Sequence, residues 1–97
     1  MGFRKPLSAS AIIGNLRYRT EGAILLAVVQ EAPLINSYTY LFRTANGNYF
    51  RQIDRLESYP PKWVSEIMPL SLGRAVQYYE ESQIRVVIPF PDELAEA

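Results

Sequence analysis

The chain has 97 residues, with ten Lys or Arg against ten Asp or Glu, 48% hydrophobic and 12% aromatic content, and neither cysteine nor histidine. That length and composition imply one domain with a packed core and exclude intrinsic disorder across its body. Disulfides, thiolate nucleophiles, zinc and iron–sulfur sites and histidine bases are excluded, and zero net charge supplies no global pull toward nucleic acid or anionic membranes.

Charge is uneven along the chain. Residues 1–19 carry Arg4, Lys5, Arg17 and Arg19 without an acid, whereas residues 80–97 carry Glu80, Glu81, Asp92, Glu93 and Glu96 against Arg85. The apolar stretch after Arg4 and Lys5 is broken by Ser8, Ser10, Gly14 and Asn15, unlike a signal peptide. The longest apolar run, residues 23–29, falls far short of the roughly 20 residues a membrane span needs. A cytoplasmic protein without a membrane partner is the expectation.

Residues 1–9 read as a weakly ordered arm, with Pro6 opposing regular structure. Residues 15–20 and 23–30 read as two strands joined at Glu21 and Gly22. The first has an earlier start near Ala11, or a helical turn over 8–13, as alternatives. The second, AILLAVVQ, is nearly continuous in apolar side chains and predicts a strand buried on both faces. Pro33 interrupts, and residues 35–44 and 48–53 then form a hairpin around Asn46-Gly47, a pair suited to a type I′ turn.

With Asn46 and Gly47 as the two central turn residues, Thr44 faces Tyr49, Arg43 faces Phe50 and Phe42 faces Arg51. Tyr38, Tyr40, Phe42, Tyr49, Arg51 and Ile53 then share a core face. Ile35, Ser37, Thr39, Leu41, Arg43, Phe50 and Gln52 take a half-exposed one. A one-residue slip exchanges the faces of one strand relative to its partner.

Beyond Glu57 the pattern changes to helical. Pro60 and Pro61 suit a first helical turn, and Trp63, Val64, Ile67 and Met68 share a side up to Pro69, with a loop pinned by the Trp63 ring as the alternative. Ser71 is the N-cap of a second helix whose stripe is Leu72, Ala75, Val76 and Tyr79. This stripe is expected to cover the sheet face of Tyr38, Tyr40 and Phe42. Residues 84–88, IRVVI, form a last strand ended by Pro89 and Pro91, and 89–97 a flexible tail. The fold class is α+β, an antiparallel β-meander of four to five strands packed against one or two short C-terminal helices.

Catalytic constellations are weak. The carboxylate pairs Asp54/Glu57, Glu80/Glu81 and Asp92/Glu93 lie at element ends or point apart, and lack the ligand count of a calcium site. Ser65 and Lys62 would meet on a helix, but Lys62 lies in an exposed turn, unsuited to a lowered pKa. Isolated glycines build no phosphate loop. No enzyme activity, cofactor or metal is expected.

What remains is binding surface. The leading expectation is a small accessory or regulatory protein that acts through protein–protein contact, including with a second copy of itself. Its anchors are Arg43, Phe50, Trp63 and Phe90, together with any sheet edge left open. The alternative is a nucleic-acid-binding module using Arg4, Lys5, Arg17, Arg19 and Arg51 among strand aromatics. A small-ligand or enzymatic domain is the third class.

Overall fold

A computed structural model describes residues 4–81, 85–87 and 89–90. Strands β1 (Ser10–Ile13) and β2 (Leu16–Arg19) form a separate hairpin. Gly14 and Asn15 turn it, with φ of 58° and 67°, the pair of positive angles that a type I′ turn requires. Strands β3 (Ile24–Ala32), β4 (Ser37–Arg43), β5 (Tyr49–Ser58) and β6 (Pro61–Leu70) form an antiparallel meander. Short β7 (Arg85–Val86) adds to the far side of β3, giving the order β6-β5-β4-β3-β7. Helix α1 spans Leu72–Glu80, and its Ser71 cap accepts a hydrogen bond from the Arg74 amide at 3.2 Å. The fold is α+β.

The hairpin at Asn46-Gly47 differs from the prediction by one residue. Thr44 pairs with Asn48, and the Gly47 amide donates back to the Thr44 carbonyl at 3.0 Å. Gly47 has φ of 86°, whereas Asn46 keeps a negative φ. The loop is therefore the three-residue kind, a turn followed by a glycine bulge, and not a two-residue type I′ turn. Arg43 faces Tyr49, Phe42 faces Phe50 and Leu41 faces Arg51. The shift moves Phe50 and Gln52 onto the Tyr40 and Phe42 side and Tyr49 and Arg51 onto the Leu41 side.

Helix α1 covers the Leu41 side, not the predicted Tyr38, Tyr40 and Phe42 side. Ala75 is buried there with Leu26, Ala27, Leu41 and Tyr49, flanked by Tyr78, Tyr79 and Phe90. Leu72, predicted in the stripe, is half exposed at the margin. The opposite face is covered by the β1–β2 hairpin, whose Tyr18 meets Phe50 edge-on at 5.9 Å in a cluster with Val28, Tyr40 and Phe42. The sheet is thus a middle layer with a core on each side. Strand β3 serves both cores by the alternation of its side chains, and its register against β4 shifts after Leu25 and again after Val28. These bulges turn Leu26 and Ala27 together toward the helix and Val28 away from it. The predicted burial of β3 on both faces is borne out, while its predicted partner, the 15–20 strand, pairs with β1 instead.

The predicted helix over 60–68 is strand β6. Trp63, Val64 and Ile67 are strand formers, and full pairing with β5 outweighs a short helix carrying two prolines. Of the predicted last strand, Ile84 and Ile88 lie outside the described residues. Its centre is β7, extended by the Val87 amide donating to the Leu26 carbonyl at 2.8 Å.

Candidate functional site

The direction of every main-chain group in β6 follows from the loop that joins β4 to β5. The Thr44 amide donates to the Asn48 carbonyl at 2.7 Å, which makes 44 and 48 a hydrogen-bonded pair. Such pairs alternate along an antiparallel ladder, so Phe42/Phe50, Tyr40/Gln52 and Tyr38/Asp54 are the bonded pairs of β4 and β5. The Leu56 amide, donating to the Asn36 carbonyl at 3.1 Å, keeps the same parity. Odd-numbered residues of β5 therefore point their N–H and C=O at β6, where they meet Lys62, Val64, Glu66, Met68 and Leu70. Pro61, Trp63, Ser65, Ile67 and Pro69 turn theirs the other way, to the sheet edge.

That edge is open. Among the described residues no main-chain group outside β5 is hydrogen-bonded to β6. Pro61 and Pro69 fall where a missing donor costs no ladder bond, one of the few places in a sheet where proline fits. Between them stand three outward amides, those of Trp63, Ser65 and Ile67. Side chains flank the row on both faces. Trp63, Ser65 and Ile67 lie on the β1–β2 side, and Lys62, Val64 and Glu66 lie on the helix side.

The segment expected to be a loose arm is hydrogen-bonded across the sheet from Arg4 to Ala9. Tyr40 donates its hydroxyl to the Arg4 carbonyl at 2.7 Å. The Leu7 amide donates to Asp54 Oδ2 at 2.8 Å, and Gln52 Nε2 donates to the Leu7 carbonyl at 2.8 Å. The Arg4 guanidinium lies 4.0 Å over the Trp63 ring and 5.5 Å from the Tyr38 ring, a cation–π contact on both. Trp63 is half-buried beneath it.

Burial first, and the Asp54 carboxylate second, push the Tyr40 phenol above its ordinary value of 10.0. A raised folded-state pKa favours the protonated fold. The stability it adds is complete below about pH 10 and is lost as pH climbs from there toward the folded value. Tyr40→Phe should cost about 1 kcal/mol at neutral pH through loss of the Arg4 bond. Urea denaturation across pH 8–12 checks the sign, since the gap between wild type and Tyr40→Phe should shrink above about pH 10.

The remaining anticipated site residues are dispersed. Phe50 is fully buried, stacked on Phe42 at 5.0 Å, so its place as a surface anchor is corrected to the core by the one-residue register shift. Phe90 stacks on Tyr49 at 5.4 Å and meets Tyr79 edge-on at 5.2 Å. Arg43 folds over its own loop, donating to the Thr44 carbonyl at 3.3 Å. Arg51 lies on the helix side, donating to the Tyr78 hydroxyl at 3.0 Å, 3.9 Å from Glu66. Arg4 and Lys5 belong to the arm on the other face. Arg17 and Arg19 border a shallow groove of about 190 Å³ with Glu21, Gly22, Ala23, Thr44 and Ala45. The five cations anticipated for nucleic acid do not form one surface.

The catalytic alternatives also come apart. On a strand, Lys62 and Ser65 take opposite faces, and Ser65 donates to Asp54 Oδ1 at 2.6 Å. Asp54 is buried on one face while Glu57 is exposed on the other. Asp92 and Glu93 lie outside the described residues. Among the described residues no three acidic, histidine or cysteine side chains gather as metal ligands, and no helix is long and apolar enough to cross a membrane. Comparison of the chain with protein-family models, curated proteins and solved structures finds no match.

Proposed function

We propose that the protein is a non-catalytic interaction module that binds another polypeptide by strand addition at β6. The supporting observation is the row of outward Trp63, Ser65 and Ile67 amides on an edge of ten residues, unbonded on that side among the described residues. Such an edge satisfies its main-chain groups by accepting an extended segment, while side chains on alternate faces supply selectivity. Trp63 adds an aromatic of the kind that anchors interfaces. An accessory or regulatory role and a cytoplasmic setting belong to the same proposal, the latter resting on the shortness of the apolar runs in the sequence.

Amide hydrogen exchange in dilute protein tests it. The Trp63, Ser65 and Ile67 amides should exchange at least about 100-fold faster than those of Val64 and Glu66, which are bonded to β5. Equal protection of both sets in protein shown by sedimentation to be monomeric would mean that the edge is covered within the molecule, and strand addition would fail.

A further inference from the structure

The β6 edge is self-complementary in one register, and we infer that its occupant is a second copy of the same strand, antiparallel about a two-fold axis through Val64. This rests on the strand-addition proposal and names its partner. In that register Lys62 faces Glu66 of the second copy, and Glu66 faces its Lys62, placing opposite charges directly across from one another twice. Val64 faces Val64. Trp63 pairs with Ser65 as a hydrogen-bonded pair, and the Ile67 amide reaches the Pro61 carbonyl, so every outward amide of both chains finds an acceptor. No proline is required to donate.

The neighbouring registers are poorer for stated reasons. Centring on Ser65 sets Pro61 against Pro69, two carbonyls with no donor between them, and puts Glu66 against Val64 and Lys62 against Met68. Centring on Trp63 sets Lys62 against Val64 and Ile67 against Tyr59, which lies in the turn before β6 and does not continue the strand. Centring on Glu66 opposes two carboxylates. Prolines and charges together thus select one alignment, where many edges use the same residue types to forbid pairing altogether. Equal numbers of acidic and basic residues add no net repulsion between copies.

Because the chain has no cysteine, a single engineered thiol reads the register. Val64 points its main chain at β5, so at the dimer axis it forms a non-hydrogen-bonded pair with Cα atoms about 4.5 Å apart, within disulfide range. Full-length Val64→Cys should oxidise to a covalent dimer, whereas Gln77→Cys, exposed on α1, should not. Sedimentation from about 1 to about 500 μM should show a monomer–dimer equilibrium of the wild type. Lys62→Glu should weaken it at least about tenfold, and Lys62→Glu with Glu66→Lys should restore it.

A wild type that stays monomeric while the Trp63, Ser65 and Ile67 amides exchange freely would overturn the second copy as occupant and leave strand addition standing. A dimer in which Val64→Cys does not cross-link, or which Lys62→Glu leaves intact, would overturn the register. Slow exchange of those amides in monomeric protein would overturn both.

Discussion

Phe50→Ala is expected to lower the stability of the fold by about 3–5 kcal/mol, the range for deleting a fully buried aromatic ring. The ring lies between Phe42, stacked at 5.0 Å, and Tyr18, edge-on at 5.9 Å. Truncation opens a cavity between the sheet and the β1–β2 hairpin and also removes the ring contacts that hold that hairpin down. Chemical denaturation measures the loss, and the near-ultraviolet dichroism of the aromatic cluster should weaken with it. The same substitution separates two views of the residue. A surface anchor would lose affinity for a partner and leave the unfolding midpoint unchanged. A core residue moves the midpoint, and a shift below about 1 kcal/mol would contradict the observed register.

That register is where the sequence is ambiguous for a physical reason. Asn-Gly suits a type I′ turn, but glycine after an ordinary turn serves as well, and the two differ by one residue in the loop. Both alignments place aromatic and β-branched residues opposite each other, so side-chain pairing does not choose between them. The actual type I′ hairpin, at Gly14 and Asn15, lies where glycine precedes asparagine in a weaker apolar context. Legible features were those decided by short-range chemistry. They include the Ser71 cap, the helix after it with Ala75 turned inward, and the double-sided burial of β3.

Strand β6 was hidden by its own side chains. Val64 and Met68 are apolar on the helix side while Trp63 and Ile67 are apolar on the other. The alternation of polar and apolar residues that marks a half-buried strand is therefore erased, and pairs spaced by four imitate a helix. The open edge was still less visible. Which amides face outward depends on the parity set in the 44–48 loop, a main-chain property with no side-chain signature.

Asp54→Ala is expected to cost about 3–5 kcal/mol, although the residue reads from sequence as a polar strand end. Its carboxylate is fully buried and accepts from the Leu7 amide at 2.8 Å, Gln52 Nε2 at 2.9 Å and Ser65 Oγ at 2.6 Å. None of these three donors is a cation. The donors lie 47, 2 and 11 residues away along the chain, which no local pattern can announce. Alanine removes one acceptor group and takes a bond from the Leu7 amide, from the Ser65 hydroxyl and from Gln52 Nε2, which keeps its bond to the Leu7 carbonyl; a buried donor left without a partner costs about 1–3 kcal/mol before relaxation. Ser65→Ala deletes a single donor and should cost only about 1 kcal/mol. The two variants also differ in where they act. Leu7 ties the arm to the sheet through Asp54, so Asp54→Ala should free residues 4–9 before the sheet itself unfolds. Limited trypsinolysis after Arg4, followed by mass spectrometry below the unfolding midpoint, should accelerate strongly in Asp54→Ala and little in Ser65→Ala. Equal cleavage in the two variants would show that the arm is held by its other bonds, from Tyr40 to the Arg4 carbonyl, from Gln52 to the Leu7 carbonyl and between Ala9 and Thr20, and that Asp54 serves only the interior of the sheet.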